Sequence, residues 1–154
     1  MNLINWALDR SSRARKCAWK ADSFCFKTLS RQRRYVVTRL WWCQTGIKGQ
    51  RGEIRTADGA LLARLSPDGR LELYPGFIWD GPSGPTYDTL DSMAASAAHD
   101  ALYRMHRRRQ IAGHLRDEVD ALFKRILLQD GMYEWRATMW YDGVRVGARW
   151  AWEG

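Results

Sequence analysis

The sequence predicts an α+β domain: a small antiparallel β-meander followed by two or three packed helices, with an extra basic helix in front. Three observations carry this. Tyr35, Val36, Val37 and Leu40-Trp41-Trp42 are the β-branched and aromatic residues that strands favour. Two Asp-Gly dipeptides, Asp58-Gly59 and Asp68-Gly69, punctuate short apolar segments in the manner of hairpins, a setting in which both central residues of the turn tolerate positive φ. From Leu90 onward the apolar period changes from two to 3.6.

The meander is expected as strands near 35–43, 52–57, 60–65 and 70–74, acting as a scaffold. The following loop, Trp79-Asp80-Gly81-Pro82-Ser83-Gly84-Pro85-Thr86, holds two prolines and two glycines and cannot be regular structure. Its glycines would let backbone approach an ion, and its prolines would hold one shape. Asp88 or Thr89 then caps a helix whose Leu90, Met93, Ala94, Ala97, Ala101 and Met105 form an apolar stripe. The many alanines imply a neighbouring element at close range. His99 shares a face with Ser92, Ser96, Tyr103 and His106, and Asp100 sits one step round.

A second helix is expected from Arg116 to Gln129, with Val119, Leu122, Phe123 and Ile126 inward and Asp130-Gly131 as its C-cap. Asp120 lies at the edge of that inward face. A carboxylate there needs a partner, and a histidine on the preceding antiparallel helix suits it. The closing stretch from Glu134 interleaves Trp135, Trp140, Tyr141, Trp150 and Trp152 with Arg136, Arg145 and Arg149. On one helix that composition fits a membrane-interface belt, a stacking platform or a protein-binding edge.

Charge divides the chain. Residues 1–40 hold ten Lys/Arg against Asp9 and Asp22, a surplus equal to the whole net charge of +8. The boundary is therefore drawn as a basic extension, 1–33, joined to a nearly balanced domain, 34–154. Within the extension Ala14, Cys17, Ala18, Ala21 and Phe24 follow amphipathic helical spacing. Such a helix suits an anionic membrane surface, a nucleic-acid backbone or the domain's own flank. A protein partner ranks first and nucleic acid last, since no recognised nucleic-acid motif accompanies the charge. Three cysteines without C-x-x-C spacing argue against a disulfide framework or zinc site. No apolar run at the N-terminus makes a signal peptide or membrane span, which points to a cytoplasmic protein.

GFIWDGPSGP, AHDALY, RDEVDALF and RATMWYDGVRVG, in that order, resemble successive motifs of a phage- and prophage-borne family, the domain of unknown function 1353, over roughly residues 35–148. The resemblance implies a phage or prophage origin, with the host cytoplasm or the virion as the place of action. It implies no activity. A fainter resemblance is to the secreted phospholipases A2, through Gly81 and Gly84, Asp88 and Asp91, His99-Asp100, Tyr103 and then Asp120. What that likeness implies is calcium held by Asp100, Asp80 and the loop around Gly81, Ser83 and Gly84, with His99 as base, Asp120 fixing its tautomer and Tyr103 beside them. The flanking disulfides of those enzymes are absent here, and the loop contains prolines. Two function classes stay open at this point. One is a small, metal-dependent hydrolase directed at lipid or envelope. The other is a non-enzymatic phage accessory or virion component in which a His99–Asp120 bond is structural and the basic and Trp-rich ends bind a partner.

Overall fold

The computed structural model describes residues 24–30, 34–82 and 89–153. The basic helix expected before residue 24, and Ser83, Gly84 and Asp88 of the loop, lie outside the described residues. Two antiparallel sheets precede the helices, as the α+β reading requires. The first has the order β1-β2-β7, from β1 (Phe26–Ser30), β2 (Arg34–Val37) and β7 (Ile78–Trp79). The second has the order β3-β6-β5-β4, from β3 (Trp41–Gln44), β4 (Gly52–Arg55), β5 (Leu61–Leu65) and β6 (Arg70–Leu73).

Two expectations are corrected here. The strand expected over 35–43 is two strands in different sheets, because the chain bends through exposed Thr38, Arg39 and Leu40. Composition does not register the bend, since strand-favouring residues continue across it. Ordered packing also starts before residue 34. β1 pairs with β2 through Phe26↔Val37 and Thr28↔Tyr35, so part of the stretch assigned to the extension belongs to the sheet. Phe24, expected on a helical stripe, packs its ring 5.4 Å from Trp41 and 5.5 Å from Trp79.

Both Asp-Gly hairpins form, with a different turn from the one expected. Only the glycines take positive φ, +90° at Gly59 and +88° at Gly69. Gly59 N–H donates to Thr56 O at 3.0 Å and Thr56 N–H to Ala60 O at 2.9 Å, and Ser66–Arg70 repeats the pattern. Each is a three-residue loop closed by a glycine bulge.

The helices follow: α1 (Leu90–Arg107), a 3₁₀ turn (Gly113–Leu115), α2 (Arg116–Gln129), α3 (Glu134–Gly147) and the short α4 (Arg149–Glu153). Thr89 is the N-cap of α1, its backbone N–H donating to Ser92 Oγ at 3.3 Å. Met93, Ala94, Ala97, Ala101 and Met105 are buried as expected, while Leu90, at the first turn, is 55% exposed. The first half of α1 is enclosed on all sides, and its alanines allow that. Trp79, expected in the loop, instead ends β7. It is fully buried against Tyr35 and Phe26 and donates its indole N–H to Ser96 Oγ at 3.0 Å, which ties the first sheet to α1.

The second sheet meets α1 at Gly52. A Cβ there would lie 2.7 Å from Met105 Sδ and 3.1 Å from Met105 Cγ, and Met105 is itself fully buried. Gly52→Ala is expected to destabilise the fold by about 1–3 kcal/mol through overpacking, read as a fall in melting temperature of roughly 2–10 °C. Gln110 Oε1 accepts from Glu53 N–H at 3.0 Å and Gln50 Oε1 from Ala112 N–H at 3.1 Å, so side chains also hold the end of α1 onto the sheet.

Candidate functional site

α2 runs between Arg116 and Gln129, and it packs along α1. Val119, Leu122, Phe123 and Ile126 fill the interface, which turns Asp120 toward α1 as well. Asp120 is fully buried. His99 Nε2 lies 2.9 Å from Asp120 Oδ1, and Tyr103 O–H donates to the same oxygen at 2.9 Å. The i,i+4 step from His99 to Tyr103 puts both groups on one face of α1.

The other carboxylate oxygen is taken by arginines from two helices. Arg145 of α3 donates to Asp120 Oδ2 at 3.0 Å and to Asp117 Oδ1 at 2.5 Å. Arg116 Nε stands 3.5 Å from Asp120 Oδ2, an ion pair without hydrogen-bond alignment, while its NH2 donates to Arg145 O at 2.7 Å. Burial is the largest influence on the Asp120 carboxyl and pushes its pKa up. The hydrogen bonds from His99, Tyr103 and Arg145 together outweigh burial and hold it below the ordinary carboxylate value. The Tyr103 phenol moves the other way, pushed up mainly by burial, so it remains a donor at neutral pH.

An ionised Asp120 fixes the histidine tautomer. A carboxylate only accepts, so the proton must sit on His99 Nε2. Nδ1 is then the unprotonated nitrogen, and it has no hydrogen-bond partner among the described residues. The His99 side chain keeps 13% of its surface exposed. Tyr103 packs 4.1 Å from the imidazole, centroid to centroid, and Phe123 5.3 Å. Behind them, His106 stacks on Trp152 at 3.9 Å with ring planes 6° apart, and Trp152 donates to Gly113 O at 2.9 Å. Held in this way, His99 can accept a proton at Nδ1 and share the resulting charge with Asp120.

The remaining residues expected at the site do not join this group. Asp100 turns away from it and pairs with Arg104, one turn along α1, at 2.7 Å, a close ion pair without hydrogen-bond alignment. Burial raises its carboxyl pKa, against the pull of Arg104 and Arg107. Asp80 is exposed and pairs with Arg34 at 3.3 Å. Gly81 adopts φ +79°. Among the described residues no three His, Cys, Asp or Glu side chains gather as a metal group. Asp100 and Asp80 each face an arginine that a calcium ion would have to displace. The described residues by themselves do not assemble a calcium site; Ser83 and Gly84, expected to hold the ion with them, lie outside the described residues. Burial pushes the Cys43 thiol up to about 12, which leaves it un-ionised at neutral pH and a poor nucleophile.

Asp91 lies in the first turn of α1, its Oδ2 3.9 Å from Arg136 NH1, while its buried Oδ1 has no partner among the described residues. The C-cap of α2, Asp130, keeps an exposed surface, yet partial desolvation by its neighbours and then the Asp91 charge push its carboxyl up to about 6. A folded-state pKa above the unfolded value means that ionising Asp130 opposes folding, and the penalty is present above pH 6 and vanishes toward pH 4. Asp130→Asn should therefore melt higher than the parent at pH 7.5, with the difference shrinking toward zero by about pH 4. Parallel melting curves at the two pH values check this.

Arg116, Arg145, His106 and Trp152 carry no assigned role in the sequence reading, yet all four build the site. For Arg116 a signal existed in the i,i+4 spacing to Asp120. Nothing local marks Arg145, which reaches Asp120 from a helix 25 residues away in sequence. A groove of about 600 Å³ lined by Ala121, Lys124, Leu128 and Tyr141 lies on the solvent side of α2 and contains none of these groups.

The chain matches no family model, no curated protein and no solved structure.

Proposed function

We propose that the chain is a small hydrolase in which His99 acts as general base on water, with Asp120 and Tyr103 holding the imidazole. The observation that carries this is the division of labour on one ring. Nε2 is bound at 2.9 Å to a buried, ionised carboxylate, and Nδ1 has no partner among the described residues, on a side chain that still reaches solvent. Water gives its proton to Nδ1 as its oxygen bonds to an acyl carbon. The ester C–O bond then breaks, and the proton passes to the departing alkoxide. Asp120 stabilises the imidazolium between the two transfers. The lipid-ester class follows from the motif order His99-Asp100, Tyr103, Asp120 shared with the phospholipases A2. The phage setting follows from the first resemblance.

The test is release of fatty acid from mixed phosphatidylglycerol and phosphatidylcholine vesicles, and of alcohol from short-chain esters, by the purified full chain. Hydrolysis that disappears in His99→Gln supports the proposal. A folded protein inert toward both substrate classes would sink it.

A specific observation favours a second reading. Asp120 takes hydrogen bonds from α1 and α3 and an ion pair from Arg116 of α2 at once, as a clamp between helices would. In that reading the chain is a non-enzymatic phage accessory or virion component, and His99 supports the fold.

A further inference from the structure

Among the described residues nothing covers the outer face of α3, which is largely apolar. Trp135, Met139 and Val146 fall within about 40° of one another around the helix, directly opposite Ala137, Trp140 and Val144, which face the core. They are 65%, 60% and 83% exposed, and the exposed Tyr133 and Trp150 lie just before and just after the helix in the chain. The three stripe residues alone present on the order of 400 Å². That is within the range of the largest patch an ordinary monomer leaves uncovered, and about half of one partner's share of a standard interface.

We propose that two copies of this chain associate through this face, with their α3 helices antiparallel about a two-fold axis. Charge selects the occupant. The two arginines of α3 are turned inward, Arg145 to Asp117 and Asp120 and Arg136 to Asp91 and Thr89. What borders the stripe is Glu134 at one end, Asp142 along it and the exposed Arg149–Glu153 pair at the other. The chain as a whole is +8, but every arginine of α3 and α4 is paired with a carboxylate, Arg149 with Glu153 included, which leaves these two helices no free basic group to meet anionic lipid. A face rich in Trp, Tyr and Met and poor in free charge has the composition of a protein interface core.

The stripe is also self-complementary in the antiparallel sense. A two-fold axis near residues 140–141 sets Trp135 of one copy against Val146 of the other. Tyr133 meets Trp150, and Glu134 meets Arg149. Met139 then points into the space over Gly143, where an added Cβ would touch nothing within 4 Å. Thr138 comes within reach of Asp142 of the second copy, supplying a donor to the carboxylate on the stripe. Parallel pairing would instead set Glu134 against Glu134. Isologous pairing of this kind closes at two copies.

Sedimentation equilibrium of the full chain from about 1 to 100 μM tests this. The expected result is a dimer whose dissociation constant rises at least tenfold in Met139→Glu and in Val146→Glu, two exposed positions. Glu134→Arg should weaken the dimer as well, and adding Arg149→Glu to it should restore association even if one single variant folds poorly. A wild-type chain that stays monomeric throughout that range overturns the proposal, whether or not it sediments with phosphatidylglycerol vesicles. So does a dimer that neither glutamate substitution moves.

Discussion

Asp120→Ala is expected to lose about 3–5 kcal/mol of stability, the range for removing one partner from a buried ionic group and stranding the others. For a chain of this size that is a fall in melting temperature of roughly 6–20 °C. The reason lies in what remains behind. His99, Tyr103 and Arg145 lose their shared acceptor, Arg116 loses the carboxylate it stands beside, and water has little room to replace it in a site where Asp120 is fully buried. The pH dependence separates this from mere loss of packing. The folded-state pKa of Asp120 is depressed, so its contribution is complete above the unfolded value near 4 and fades as pH falls through the lower folded value. The gap between wild type and Asp120→Ala should therefore be widest near neutrality and narrow below about pH 4. Urea unfolding at a series of pH values measures it. A gap unchanged down to the acid limit would mean that the carboxylate charge contributes nothing.

His99→Gln is expected to behave in the opposite way. A glutamine amide can still donate toward Asp120 from near the Nε2 position, so the fold should lose no more than about 1 kcal/mol. No atom replaces Nδ1 as a base. Ester hydrolysis should fall by roughly 10² to 10⁴. The two readings of the site part here. If His99→Gln melts as low as Asp120→Ala and the wild type hydrolyses nothing, His99 is a strut of the helix clamp and the base assignment is wrong. The dimer through α3 would be unaffected by either result, because none of its residues touches His99.

Much of this arrangement was legible because local rules and tertiary packing agree. The α2 span from Arg116 to Gln129 follows from an apolar period that stops at Asp130-Gly131, and Gly131 takes the positive φ, +94°, that such an end requires. Helical geometry also suffices to pair His99 with Asp120, since a polar group on an inward edge has few possible partners. Other features left no local trace. β1 hides in a basic segment because Phe24 extends the helical spacing of Ala14, Cys17, Ala18 and Ala21, which masks the two-residue step from Phe24 to Phe26 that a strand uses. The bend at Thr38–Leu40 changes the sheet without changing residue type. The calcium expectation rested on motif order. The pairing of Asp100 with Arg104 was readable as an i,i+4 step, whereas that of Asp80 with Arg34 on the neighbouring strand was not. The C-terminal aromatics, expected on one helix, divide at Ala148 between α3 and α4: Trp140 and Trp152 enter the core, and Trp135 and Trp150 stay outside.

The most direct test of the base assignment is the tautomer of His99, read from ¹⁵N–¹H couplings of the imidazole nitrogens in wild type and in Asp120→Asn near pH 8. The expected result is the Nε2–H form in the wild type, with Nδ1 unprotonated, and loss of that strict preference in the variant, whose amide can donate as well as accept. An Nδ1–H imidazole in the wild type would contradict it, because His99 would then present no free base and Asp120 could not be the ionised acceptor described here.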